Sequence, residues 1–266
     1  MAYYRMSGST MTKIGDQARR LSGLNESMTP SRMIDELSKL RGVHTFPDNV
    51  VYYNNMNGEE YATITPRKFT YSNSTYTELD DFVITDKWGD AYAASMASGS
   101  ESRELCFQKS RTSDEGLDQY TDNGYSSGST FTIGGWFRKT EDTNTYERAI
   151  FCYDSVAWGL YLPANTNTSI SMDFGGGAYA NVYSIVKDVW YHFAITFIQN
   201  DNGTATAKVY VNGSLIKTYN ATHTMAFSQV TISHCGGYPW RGSVKNVFIS
   251  KGALSDDDIR RMMLTD

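Results

Sequence analysis

The run Cys235–Ser250, CGGYPWRGSVKNVFIS, sets two aromatic residues in a glycine-rich loop. An exposed aromatic ring can stack on the apolar face of a sugar, while nearby hydroxyl, amide and carboxylate groups meet its polar edge. In this loop Tyr238 is expected to face a ligand. Trp240, directly ahead of Gly242 and an apolar run, is expected to be a structural plug. Two other stretches combine rings with polar groups. CYDSVAWGLYL offers Asp154 and Trp158, and DFGGGAYANVY offers Tyr179 and Asn181. Tyr238, Trp158, Asp154, Tyr179 and Asn181 are therefore the candidate ligand-binding residues.

Catalytic chemistry finds less support. Retaining glycoside hydrolysis uses two carboxylates about 5–5.5 Å apart, spelled on one strand as E-x-D-x-E or E-x-D-x-x-E. Neither spelling occurs, and ELDD at 78–81 lacks the second glutamate. No serine sits in a nucleophile elbow. His192 lies in a strand-like run beside Trp190 and is read as a structural, hydrogen-bonding residue. His234 next to Cys235 does not make a metal site, and His44 and His223 are isolated. Asp154, Asp173 and Asn181 lie near glycines, as calcium ligands can, but no D-x-D-x-D array surrounds them. No enzyme activity and no cofactor, calcium included, is expected. Cys106, Cys152 and Cys235 are far apart and odd in number, which reads as small buried thiols in a reducing compartment.

The elements that would carry these residues fall into two groups. Residues 1–44 read as two short amphipathic helices. Ile14, Ala18 and Leu21 make one stripe; Met33, Ile34, Leu37 and Leu40 make the other, behind Thr29 as N-cap and Pro30 at the first helical position. So small a pair cannot bury its own stripes, so it needs the rest of the chain, another subunit or a different protein to cover them, and is expected to tether the chain to a partner or to build a homo-oligomer. Residues 45–266 read as β. VWYHFAITFIQ puts Tyr191, Phe193, Ile195 and Phe197 on one face, and Ala207, Val209 and Val211 alternate likewise before Asn212-Gly213, a type I′ hairpin signal. GSVKNVFIS, with Val244 and Phe248 on one side and Val247 and Ile249 on the other, reads as a central strand. Ser255 with Asp258 forms a capping box for a last helix, with Leu254 and Ile259 as its hydrophobic staple. The fold class expected is all-β: a two-sheet antiparallel jelly-roll sandwich with a small N-terminal helical segment. The net charge is −5 and no basic block stands out, which argues against a nucleic-acid partner. No run of eighteen apolar residues predicts membrane insertion, and the opening MAYYRMSGST lacks the apolar core of a signal peptide.

The order of these β segments resembles the laminin-G-like, concanavalin A-like lectin/glucanase superfamily. The resemblance is carried by Trp136, then Trp190, His192 and Ala194, then Tyr210, Val211, Asn212 and Gly213. It continues through Trp240, Gly242, Val244, Val247 and Ile249 to Leu254, Ser255 and Ile259. Lys245 and His234 depart from the family pattern. The resemblance implies a sandwich that displays a carbohydrate site. The segment IGDQARRLSG…MTPSRMIDELSKL is similar to a short helical segment of structural proteins from phages of Gram-positive bacteria, matching at Ile14, Ala18, Arg19, Gly23, Met28, Thr29, Pro30 and Met33. Together the two resemblances imply a virion protein made in the host cytoplasm. Residues 1–44 would bind other virion proteins, and the sandwich would bind host-surface glycans or receptors as part of an appendage or fibre. The alternatives are a head, neck or tail decoration protein and, third, a cell-wall glycoside hydrolase.

Overall fold

The computed structural model describes residues 46–54, 60–62, 67–72, 75–78, 83–85, 91–98, 101–108, 130–153, 157–222, 225, 229–233 and 238–265. The tether residues Ile14, Ala18, Leu21, Met33, Ile34, Leu37 and Leu40 lie outside them, as does Asp154. Residues Pro47–Thr265 group into one compact unit.

The strands are β1 (Val50–Asn54), β2 (Glu60–Ala62), β3 (Arg67–Ser72), β4 (Thr75–Glu78), β5 (Val83–Thr85), β6 (Ala91–Ser95), β7 (Ala97–Ser98), β8 (Glu101–Gln108) and β9 (Phe131–Lys139). They continue with β10 (Glu147–Tyr153), β11 (Ala157–Leu162), β12 (Ser169–Phe174), β13 (Gly177–Ser184), β14 (Trp190–Gln199), β15 (Ala205–Val211), β16 (Ser214–Ala221), β17 (Gln229–Ile232) and β18 (Gly242–Lys251). A helix, α1 (Asp256–Leu264), follows. Two antiparallel sheets result. The first runs β16-β15-β14-β9-β18-β1-β2, with β6 also on β18 and β5 on β6. The second runs β13-β12-β11-β10-β17-β8-β3-β4, with β7 on β8. This is the expected sandwich.

Alternation places the core between the sheets. Phe193, Ile195 and Phe197 of β14, and Ala207, Val209 and Val211 of β15, are buried in it, and Tyr191 packs against it. Asn212 and Gly213 both take positive φ, at 50° and 74°, so the hairpin joining β15 to β16 is type I′ as expected. β18 is central, between β9 and β1. Its face assignment differs from the alternation read along the sequence: Val244, Val247 and Ile249 all join the core, while Phe248 stacks on His192 outside it. The reason is a bulge. The β18–β9 register shifts between Lys245 and Phe248, and Asn246 sits at φ 49°, which moves every later residue to the other face.

Phe248 has room on that face because Gly134 lies below it; a Cβ there would stand 2.8 Å from the Phe248 ring. Helix α1 is tied to this sheet. Met263 O accepts from Trp136 Nε1 at 3.2 Å, and the Tyr210 hydroxyl donates to Asp256 at 2.8 Å. Ser255 caps the helix, its hydroxyl accepting from Asp258 N at 3.1 Å, and Leu254 and Ile259 are both buried. The Asp258 carboxylate in turn accepts from the Ser255 hydroxyl at 2.7 Å. His192 is fully buried and structural, but not through side-chain hydrogen bonds. Its ring stacks on Phe248 and meets the edge of Trp136, and both ring nitrogens lack partners. Its backbone makes the bonds instead: His192 N donates to Asn212 Oδ1 at 3.0 Å, and His192 O accepts from Asn212 N at 2.8 Å.

Candidate functional site

Trp240 is fully buried, edge-on to Phe137 with centroids 5.9 Å apart, so it is the plug and not a ligand platform. Around it the chain is stitched down. Trp240 N donates to the Ser233 hydroxyl at 2.9 Å, and Ser233 N to Ala149 O at 2.9 Å. Arg241 N donates to Glu147 Oε2 at 2.8 Å, while the ammonium of Lys139 bonds Glu147 Oε1 and Glu141 O. Lys139 and Glu147 are both fully buried. Burial pushes the Glu147 carboxyl up, and Lys139 and the Arg241 backbone pull against that shift. Breaking such a pair leaves one buried charge unanswered, at a cost of about 3–5 kcal/mol. Ser233 and Tyr238–Arg241 are therefore tied to β10 and to the buried Lys139–Glu147 pair.

That base presents Tyr238. Its carbonyl accepts from Arg148 N at 2.9 Å, and its side chain is 43% exposed. The ring meets Tyr146, also 43% exposed, with centroids 5.9 Å apart, and Tyr146 meets Tyr161 at the same distance. Tyr161 on β11 lies opposite Arg148 on β10, and β11 pairs with β12, which carries Asp173. These side chains sit on the outer face of the second sheet, because the residues alternating with them, Leu160, Leu162 and Met172, are in the core. The Arg148 guanidinium lies 4.2 Å from the Phe151 ring centre and 5.6 Å from that of Tyr161, and donates to Asp173 at 2.9 Å. Burial raises the Asp173 carboxyl, against the pull of Arg148 and a hydrogen bond from Tyr161. Burial raises the Tyr161 phenol as well, followed by the nearby Asp173 charge. The result is a tyrosine platform beside the Arg148–Asp173 ion pair: ring faces, hydroxyls, a carboxylate and a guanidinium on one surface.

The other candidates part company. Trp158 is buried, edge-on to Phe174 at 4.8 Å, and cannot reach a ligand. Its register explains why: it lies opposite Cys152, a buried core thiol, on the inward row of β11. Burial also drives the Cys152 thiol well up. Tyr179 and Asn181 are brought together, away from Tyr238, in a groove of about 520 Å³ between β13 and β16. Tyr146, Arg148 and Tyr161 were not singled out in the sequence, and Asp173 only as a calcium ligand of the kind glycine-flanked acids can be, although Tyr161 between Leu160 and Leu162 shows the alternation that would have put it on an outer face. Among the described residues no three His, Cys, Asp or Glu side chains gather to hold a metal ion. No helix there is long and apolar enough to cross a membrane.

A two-sheet antiparallel sandwich with an aromatic platform on its outer face defines a lectin-like domain. Residues 114–260 match the Laminin_G_3 family model of the concanavalin A-like lectin/glucanases superfamily, and the chain belongs to that family. No curated protein matches it in sequence. Among solved structures it is similar to a Trypanosoma rangeli sialidase bound to 2,3-difluoro-KDN, at 14% identity and TM-score 0.55, covering 88% of this chain and 40% of that one. It is also similar to the binding domain of botulinum neurotoxin DC in complex with rat synaptotagmin II, at 13% identity and TM-score 0.50, covering 81% and 51%. A third is botulinum neurotoxin type C, whose cell entry depends on two ganglioside molecules, at 10% identity and TM-score 0.50, covering 85% and 52%. The chain thus spans about half or less of each of these chains, and the likeness is one of fold.

Proposed function

We propose that this chain is a bacteriophage virion appendage or fibre protein whose sandwich binds host-surface carbohydrate through the Tyr146–Tyr161–Tyr238 platform. The observation that carries the binding reading is the exposure of Tyr146 and Tyr238 beside a buried ion pair that also holds the Arg241 backbone. Partly exposed tyrosines present ring faces and hydroxyls together, as a sugar ring needs. Membership of a lectin-like family and the ganglioside-dependent neurotoxin among its structural relatives support the same class of ligand. The virion part rests on the resemblance of residues 1–44 to phage structural proteins. Those residues would join other virion proteins or further copies of the chain, and repetition would strengthen individually weak sites.

The reading is of a binding protein and not a hydrolase. Among the described residues Asp173 is the platform's one carboxylate and is held by Arg148, whereas retaining hydrolysis needs a pair about 5–5.5 Å apart. The test is saturable binding of the purified full-length protein to host cells, competed by isolated wall polysaccharide. Tyr146→Ala with Tyr238→Ala should weaken it at least about tenfold, as expected for lost stacking partners, with an unchanged melting temperature. Absence of cell binding by a protein that still incorporates into particles would sink the receptor role and leave decoration.

A further inference from the structure

We propose that the groove between β13 and β16 is a second binding site, built for an anionic saccharide that carries a carboxylate or phosphate. The groove lies where β16, the edge strand of one sheet among the described residues, approaches β13, that of the other. Its volume of about 520 Å³ falls within the roughly 300–1,000 Å³ of ligand clefts. Lys217 is its only charged lining residue, beside Ala178, Tyr179, Asn181, Ile216 and Tyr219. Lys217 lies opposite Val209, a core residue, so it starts on the inward row of β16, at the mouth of the groove. No hydrogen bond or ion pair answers its ammonium among the described residues, so the groove offers an uncompensated cation.

The remaining walls suit a hydroxylated ring. Tyr179 is 38% exposed and rests on buried Tyr219, with centroids 4.4 Å apart, so one aromatic is held in place with a free side. Asn181 is held at φ 57°, and its Oδ1 accepts from the Ser169 hydroxyl at 2.8 Å. That bond leaves its two amide N–H groups to donate. A peptide added as an extra strand fits poorly. The pairing of β13 slips between Ile170 and Met172 of its neighbour, and that of β16 between Val209 and Tyr210. Bulged edges break the even ladder that strand addition needs. Recognition therefore falls to the side chains. The site shares no residue with the tyrosine platform and does not depend on it.

The experiment is calorimetric titration of the full-length protein with four probes: oligogalacturonate, its methyl ester, poly(glycerol phosphate) and polyglutamate. The ester keeps the rings and removes the charge, oligogalacturonate and poly(glycerol phosphate) separate carboxylate from phosphate as the anion's source, and polyglutamate keeps the charge without sugar hydroxyls. The expected result is binding of oligogalacturonate, of poly(glycerol phosphate) or of both, at least about tenfold tighter than the ester and weakened by salt. Lys217→Gln and Tyr179→Ala should each reduce it about tenfold, and Tyr238→Ala should leave it unchanged. Four results would overturn the proposal: no binding of either acidic polymer at millimolar concentration, equal binding of the ester, equal binding of polyglutamate, or indifference to Lys217→Gln. Loss on Tyr238→Ala would assign the ligand to the platform instead. Failure of host-cell binding with the acidic polymer still bound would defeat the platform reading alone.

Discussion

Truncating Trp240 to alanine removes a fully buried indole from against Phe137 and should cost about 3–5 kcal/mol in urea unfolding. Two residues earlier, Tyr238→Ala should change stability by less than about 0.5 kcal/mol while weakening the host-cell binding proposed for the platform. The same loop thus sets a buried ring and a half-exposed one within three residues. That difference in exposure was legible, because Trp240 adjoins an apolar strand and Tyr238 follows a pair of glycines. The parity of Trp158 was not legible, since nothing in AWGLYL says which row faces inward until Cys152 is known to oppose it. His192 supplies a second residue-scale test. Burial lowers its pKa from 6.5 to about 3. The unfolded state therefore takes up the proton first, and stability present above pH 6.5 is lost as the pH falls toward 3. At pH 4.5, two units below the unfolded value, the loss is of order 2–3 kcal/mol. His192→Phe keeps a ring against Phe248, removes two unpaired nitrogens and should flatten this dependence, as read from urea midpoints at pH 7 and 4.5.

At the scale of elements, turn chemistry was the most readable feature. Asn-Gly announced the β15–β16 hairpin, and both residues sit in the left-handed region. Gly213→Ala places a Cβ at φ 74° and 3.1 Å from the Arg260 side chain, and should cost about 1–2 kcal/mol by chemical denaturation. The strands themselves followed from alternation, but their registers did not. A bulge inserts one residue without any marker in composition, which is why Val244 was paired with Phe248 when the core takes Val244 with Val247 and Ile249. Register also hid the platform. Arg148, Tyr161 and Asp173 belong to three strands, and only the pairing of β10, β11 and β12 sets them side by side.

For the whole molecule, the telling contact joins the two ends of the sandwich. Val50 of β1 pairs with Ser250 of β18, and β18 lies between β9 and β1. Removing residues 242–266 takes out a strand from the middle of a sheet rather than from its rim. The shortened chain should show no cooperative unfolding transition by circular dichroism. A ribosome meets the same constraint in time. Val50 emerges 250 − 50 = 200 residues before its partner. At ~5–20 residues per second that is a wait of about 10–40 s. Throughout it the nascent polypeptide carries Phe193, Ile195 and Val209 with no completed interior to receive them. Translation speed and holding chaperones, more than the final free energy, should then decide how much of the product escapes aggregation in the producing cell.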